Sequence, residues 1–598
     1  MSLFYDTTRE TCSQVMCSEP IVRFVNKKEF PWVAMELSAS RGQESYEPYD
    51  EDCQARNDHY QSTCFQKGTD WIEHDSEACF QSVNPFPWCP TVVINDVVFG
   101  MIATEADHEE QCAHQDQDDS KPLEREVGKV VHVRNEPGLR VRYRHLILYK
   151  FIAISQVFSL LIFSCTIVRM RQSFLFTKTR KEAPKDEVAQ NAKLLIRAGF
   201  IHKELAGVYS YLPLGLRVME KIVNVIREEM NVIGGQEVTL TALQDKKVWE
   251  ISGRWDDSVL DVWFKTKLKN DTELGLGTTH EEQLTALMKD YIASYRDLPR
   301  YVYQFQTKFR NETRAKSGIM RGREFVMKDL YSFSADQESH DAFYEKVKQA
   351  YSRIFARLGL GDRTYVTFAS GGSFSKYSHE FQTLFESGED IIYIDKGQGI
   401  AINKEVYNSD SLSTEEANNL ASVGIEAVNL KGPFKAIEVG NIFSLGTRFS
   451  DAFDLNFIAQ DGSKKPVIMG SYGIGPGRVM GTIAEVLSDK DGLVWPEVVA
   501  PFKLHLIALF DKEGKVKICT DALYQKLTEQ GVEVLYDDRD QRAGEKFADA
   551  DLVGIPYRAI VSDKTLAEKV VEFKNRKTGE VSKISEEDLF KILAKKAD

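Results

Sequence analysis

Two long strand-like runs, Tyr301–Phe309 and Phe325–Phe333, enclose a connection rich in arginine and glycine. Runs of aromatic and β-branched residues on either side of a polar loop read as a hairpin of long strands. The connection carries the densest chemical signal. Within Phe309–Asp329, FRNETRAKSGIMRGREFVMKD, six cations (Arg310, Arg314, Lys316, Arg321, Arg323, Lys328) fall within 19 residues of a chain whose net charge is −14. Guanidinium groups stay charged and donate paired hydrogen bonds, which suits phosphate. The interleaved Glu312, Glu324 and Asp329 are placed to orient those cations or to bind an amine. A solvated charged hairpin would carry the same residues. The acidic balance argues against a broad nucleic-acid-binding surface and leaves room for a local basic patch.

A chain of 598 residues has room for about three or four domains. Cysteine use divides it: eight of nine precede Met170 and only Cys519 follows, so the larger part reads as a reduced, cytoplasmic-type protein. Residues 1–169 form an N-terminal extension with little periodicity and with acidic clusters such as Glu47–Asp52 and Glu105–Glu110. A zinc site through Cys53, His59, Cys64 and His74 fits no common module, and solvated, unstructured chain is the simpler reading. Residues 146–168, LILYKFIAISQVFSLLIFSCTIV, are apolar and long enough to cross a bilayer of about 30 Å. Basic residues on both sides leave the orientation open. A membrane anchor, a targeting extension and sequence from upstream of the true start all fit. The last is preferred, because Met170 opens a segment that reads as a complete enzyme.

After Met170, helical spacing in Val188, Leu195, Ile196 and Ala198 closes at Gly199, and a second helix follows Pro213. Gly234-Gly235 ends it, and Glu237–Leu243 reads as a strand. Strands are expected at Ile391–Ile394, Ala436–Phe443 and Pro466–Ser471. Past Trp495-Pro496 and Ala500-Pro501 the pattern alternates: strand Leu504–Leu509, helix Val516–Gln530, strand Val532–Tyr536, helix Phe547–Val553, strand Arg558–Val561. That alternation indicates a separate small α/β domain over 501–598. The segment Gly470–Arg478, GSYGIGPGR, follows an apolar strand and precedes a helix, so its glycines allow close backbone approach and its arginine can face a phosphate. A plain strand-to-helix turn would look similar. No Walker A pattern occurs, and Gly397-Gln398-Gly399 lacks the third glycine of a dinucleotide fingerprint.

FRNE, the RGREF after it and GSYGIGPGR resemble motifs 2 and 3 of class II aminoacyl-tRNA synthetases, and residues 213–243 occupy the place of motif 1, the dimer-forming element. The HIGH and KMSKS signatures of class I are absent. LGTTHEEQ (276–283), REFVMKDLYSF (323–333), GGSFSKYSHEF (371–381), EVGNIFSLGTRFS (438–450) and DDRDQRAGEKFADADLVGIP (537–556) resemble, in order, segments of the prolyl-tRNA synthetases. The resemblance implies an α+β fold: a catalytic domain over 170–500, its antiparallel sheet flanked by helices, and an anticodon-binding domain over 501–598. It implies activation of L-proline by ATP with Mg2+, and transfer to tRNA(Pro). A regulatory or RNA-binding relative, or a class II enzyme for another amino acid, is the rival reading.

By the same resemblance, Arg310 would hold the α-phosphate of ATP and the proline carboxylate, Glu312 the adenine amino group, and Phe325 would stack on the ring. Arg321 or Arg323, with Arg478, would hold the outer phosphates. Glu438 would bind the metal, with Asn441 and Thr447 near the nucleotide. Thr279 and Glu281 would recognise proline, Glu281 facing its ammonium, with Asp329, Tyr331, His379 and Ser471 completing the pocket and His280 structural. Asp538, Arg539, Arg542 and Lys546 would meet the anticodon, and Arg314 and Lys316 the acceptor stem. Thr241, Thr278 and Asn441 stand where the family often has proline, proline and histidine. The interval 391–437 holds only a short linker where many relatives carry an inserted editing domain, so alanine misactivation and a separate editing factor are expected. A cytoplasmic homodimer is the expected state, with an organelle or a membrane tether as the alternatives.

Overall fold

The computed structural model describes residues 170–313, 317–372, 377–407 and 429–594. The expected hairpin is there: Arg300–Phe309 and Glu324–Ser334 pair antiparallel, from Arg300 opposite Phe333 to Phe309 opposite Glu324. It sits within a nine-stranded sheet in the order Tyr377–Leu384, Thr364–Ser370, Ile400–Asn403, Asp390–Asp395, Lys431–Gly446, Ile468–Ile474, Glu324–Ser334, Arg300–Phe309, Gln236–Glu237. Two pairings are parallel, Thr364–Ser370 with Ile400–Asn403 and Gln236–Glu237 with Arg300–Phe309; the others are antiparallel. Tyr377–Leu384 also pairs with Lys431–Gly446, which closes the first five strands into a ring. The interval 391–437 is therefore more than a linker: its strands are built into this ring. Residues 408–428, Arg314, Lys316 and the whole of 1–169, with the apolar run 146–168 and its cysteines, lie outside the described residues.

The back of the sheet is covered by helix Gln337–Arg357, whose buried Phe343, Val347, Ala350, Tyr351 and Ile354 recur at helical spacing. Helix Pro213–Val232 starts with proline in its first turn, where the missing N–H costs nothing, and contributes Val218, Ile222 and Ile226 to the same core. The expected strand Glu237–Leu243 is only partly realised, as Gln236–Glu237 and Leu243–Asp245. Between them Leu240 N donates to Gln304 Oε1, and Gln306 Nε2 donates to the Leu240 carbonyl. Side-chain amides take the place of a backbone partner there, so no ladder forms.

The C-terminal sheet runs Met170–Arg171, Val534–Asp537, Leu504–Ala508, Tyr557–Val561, Val571–Asn575, Val581–Ile584, with the first three pairings parallel. Helices Lys515–Glu529 and Ala543–Val553 connect the parallel strands, as the sequence alternation indicates. Its first strand comes from the other end of the described chain. Arg171 reaches Asp521 and Asp538 and lies over the Tyr536 ring, while Gln172 is buried against His505 Nε2 at 2.8 Å. The second sheet is built from strands after 501 together with 170–171, while Leu535, Leu552, Val553 and Ile555 join the core of the first part; a strand of two residues has no periodicity to read. Among the described residues no helix is long and apolar enough to cross a membrane.

Gly554 ends helix Ala543–Val553 at φ +75°, and a Cβ there would lie 2.1 Å from the Leu493 carbonyl oxygen. We expect Gly554→Ala to cost about 2–3 kcal/mol, read as a lower denaturant midpoint. A midpoint equal to wild type would show that the backbone yields there.

Candidate active site

Residues two apart on a strand share a face. On Glu324–Ser334 this gathers Phe325, Met327, Asp329 and Tyr331, and the register sets Gly473 and Ser471 opposite Asp329 and Tyr331, then Asn441 and Phe443 opposite Gly473 and Ser471. These eight residues floor a cavity with about 910 Å³ of empty space, partly open to solvent. Thr279, Glu281, Arg310, Glu312, Arg321, Glu438 and Arg478 line the rest of it.

At one end are cations. Arg310 donates from Nε to the Thr278 carbonyl at 3.3 Å, and its guanidinium carbon lies 5.4 Å from the Phe325 ring centre. Arg478, in the first turn of helix Pro476–Val486, donates to the Met320 and Glu438 carbonyls at 3.0 Å and to Glu438 Oε2 at 2.9 Å. Arg321 pairs with Glu312 at 3.3 Å and Glu389 at 3.2 Å. Burial, and then the charge of Arg478, pull the Arg310 guanidinium below its ordinary range. Two cations that disfavour each other in a buried space favour an anion between them.

Beside Glu438 the sign reverses. Burial, with the Glu438 charge added, pushes Glu380 and Asp390 up. Asn441 Oδ1 is buried and accepts no hydrogen bond. Oxygen donors in an acidic recess fit a hard divalent cation. Among the described residues no cluster of three His, Cys, Asp or Glu side chains could hold a metal alone, so substrate oxygens would complete such a site.

The opposite end holds carboxylates. Glu281 Oε2 accepts from Thr279 Oγ1 at 2.5 Å and Oε1 from Ser471 Oγ at 3.1 Å. Arg254, itself buried, pairs with Glu282 at 2.9 Å and reaches Glu281 at 3.6 Å. Burial, with Glu281 alongside, holds the Glu282 carboxyl high. Asp329 Oδ2 accepts from Tyr331 and from Gln304, each at 2.9 Å.

Several predicted residues lie elsewhere. Arg323 donates to the Glu312 and Ala206 carbonyls, and Thr447 Oγ1 donates to Asp451 in the helix that follows it. His379 accepts or donates at Tyr344 rather than lining the cavity. In the C-terminal domain Lys546, expected to meet the anticodon, is buried and donates to the Ala508 carbonyl at 2.7 Å. Arg539 is paired with Asp537 and Asp549, and Asp538 accepts from Arg171 and Ser173. Arg542 stands exposed at the start of helix Ala543–Val553. The sequence reading missed Met327, Phe443 and Gly473; stepping by two from Phe325 finds the first of these, whereas the others need the strand register.

Comparison with known proteins gives this geometry its family. Residues 264–487 match the model of the tRNA synthetase class II core domain (G, H, P, S and T), and 503–596 that of an anticodon binding domain. A proline–tRNA ligase of Zymomonas mobilis is 39% identical over 440 positions, taking in 71% of this chain and 98% of the relative. The chain belongs to the proline–tRNA ligase family. A proline–tRNA ligase of Rhodopseudomonas palustris is 40% identical over 69% of this chain and 97% of its own length, and one of Bacillus cytotoxicus 35% identical over 71% and 99%. For a proline–tRNA ligase the paired guanidiniums are the part to test. Arg310→Ala and Arg478→Ala are each expected to lower kcat/KM in ATP–pyrophosphate exchange about 10²–10³-fold without unfolding the protein; a loss below tenfold in either would remove it from the cation end.

Proposed function

We propose that this chain activates L-proline with ATP and transfers it to the 3′ end of tRNA(Pro). The observation that carries this reading is one cavity with guanidiniums at one end and hydrogen-bonded carboxylates at the other. A carboxylate of Glu281, set by Thr279 and Ser471, suits the secondary ammonium of proline, with Asp329 and Tyr331 beside it. Arg310 suits both the proline carboxylate and the α-phosphate, Phe325 the adenine ring, and Glu312 its amino group. Arg321 and Arg478 suit the outer phosphates. Mg2+ fits the oxygens of Glu438 and Asn441, where it would spread the charge of the phosphates.

The chemistry follows from the charges. A proline carboxylate oxygen bonds to the α-phosphorus as the bond to the bridging oxygen breaks and pyrophosphate leaves. The terminal ribose hydroxyl of tRNA then bonds to the prolyl carbonyl, and AMP leaves. Neither step needs a protein nucleophile; positioning and cationic stabilisation supply the rate. Exposed Arg542 and the anticodon binding domain suit the far end of the tRNA. The irregular edge at 238–242, with Thr241, suits a homodimer contact, and the exposed thiol of Cys519, the one cysteine among the described residues, suits a reducing cytoplasm.

The Bacillus alignment spans 565 positions yet takes in 71% of this chain, while the Zymomonas one takes in the same share in 440. The Bacillus relative therefore has a long stretch without counterpart here, which supports the absence of an inserted editing domain. A proline pocket rejects a smaller side chain by only about 1–3 kcal/mol per missing methylene, so clearing alanyl-tRNA falls to a separate factor.

The test is amino-acid-dependent ATP–pyrophosphate exchange, on the full chain and on a chain starting at Met170. Proline is expected to drive equal exchange in both, with weaker exchange on alanine and no hydrolysis of alanyl-tRNA. Folded protein that exchanges with no amino acid would favour a regulatory RNA-binding role. Activity in the full chain alone would make residues 1–169 functional.

A further inference from the structure

Behind the carboxylate end of the cavity stands a lysine that the chemistry above does not use. Lys308 is fully buried, and its ammonium lies 2.7 Å from Asp329 Oδ1 and 2.7 Å from His280 Nδ1. His280 Nε2 faces the Thr241 carbonyl at 3.2 Å. A carbonyl can only accept, so Nε2 carries the hydrogen and Nδ1 is the acceptor for Lys308. His280 is thereby the link between the irregular edge at Thr241 and the lysine. Gln304 makes a second link of the same kind: its Oε1 accepts from Leu240 N while its Nε2 donates to Asp329 Oδ2.

A buried lysine–carboxylate pair is a poor device for stability, because desolvation offsets most of the attraction and an apolar pair of similar volume serves as well. Its position suggests a different use. A carboxylate buried as deeply as Asp329, facing the same space as Glu281, tends to take up a proton and lose its attraction for an ammonium. Burial does push Asp329 upward, but Lys308, with His280 and Gln304 behind it, outweighs this and holds the carboxyl below its usual range. His280 does not supply the charge, since burial and the neighbouring Lys308 bring its imidazole down to about 4. Of the other charged groups nearby, Arg310 opposes Lys308, and Arg254 is engaged with Glu282 and Glu281. Lys328 points to the other face of the strand, donating to Tyr351 Oη and the Tyr472 carbonyl. Tyr331 donates its hydroxyl to Asp329. Gly473, opposite Asp329 on the next strand, brings no charge. Lys308 is the cation in direct contact.

We propose that Lys308, anchored by His280, is a positioning residue for amino-acid recognition: it keeps Asp329 ionised and oriented, so that the pocket offers the substrate ammonium two carboxylates rather than one. This rests on the reading that the carboxylate end receives proline. It separates two roles that sequence alone merges, since Lys308 touches no substrate yet sets what the substrate meets.

The test is Lys308→Met in the full chain, with proline and ATP varied separately in the exchange assay between about pH 6 and pH 8. The expected result is a KM for proline raised about tenfold or more at the acid end and recovering toward the alkaline end, with the KM for ATP within about twofold of wild type. The sign follows from the loss of the cation: Asp329 then takes up its proton at a higher pH, so proline binding weakens as pH falls. Lys308→Arg, which keeps the charge, is expected to restore the flat profile of the wild type. A proline KM within twofold of wild type with an unchanged pH profile, or equal rises in both KM values, would overturn the proposal. Should circular dichroism show Lys308→Met unfolded, His280→Gln takes its place, with a proline-specific rise in KM of about threefold expected and none overturning it. Wild-type protein without proline-dependent exchange would instead overturn the functional reading beneath.

Discussion

Strand Glu324–Ser334 is covered on both faces, and the two coverings ask for opposite chemistry. Lys328, Leu330 and Ser332 lie under helix Gln337–Arg357 and its neighbours, while Phe325, Met327, Asp329 and Tyr331 look into the cavity. Because side chains alternate strictly, a register slip of one residue would carry Lys328 into the cavity and Asp329 under the helix. Ten paired positions with Arg300–Phe309 and seven with Ile468–Ile474 stand against such a slip. The site is thus a property of the sheet's register before it is a property of any residue.

That register also sorts charge. Along the strand, Tyr331 lies opposite Ser471, which bonds Glu281, while Phe325, six residues back, lies beside Arg310. Each end is held by hydrogen bonds that leave its charge facing inward: Thr279 and Ser471 on Glu281, the Thr278 carbonyl on Arg310, the Met320 and Glu438 carbonyls on Arg478. A substrate with an ammonium, a carboxylate and phosphates in line meets fixed partners and pays little for reorganising them.

Much of this was legible in the sequence, for identifiable reasons. The hairpin and the alternating C-terminal domain could be read because their elements are long and periodic. Arg310, Glu312, Arg478 and Glu281 could be named because they sit in dense motifs. What escaped was whatever depends on contacts distant in sequence. The ring of strands built on Tyr377–Leu384 and Lys431–Gly446 needs a pairing that no local pattern announces. Thr447 and Arg323 share motifs with cavity residues but turn to local partners. Lys546 looks like any surface lysine until the sheet closes over it. His280 and Lys308 are separated by the whole of helix Glu281–Met288, and only the folded chain makes them neighbours.

The pairing of Met170 with Leu535 has a bearing on how the protein is made. Synthesis at about 5–20 residues per second puts roughly 20–70 s between those two positions. For that interval Arg171 and Gln172 have neither Asp538 nor His505 to bind, and Val534–Asp537 later arrives with one edge uncovered until the early segment returns. Strand Val534–Asp537 is therefore completed by residues made much earlier, so this edge of the sheet closes only once both segments are present, and a nascent chain that stops short of Val534 carries Met170–Arg171 unpaired.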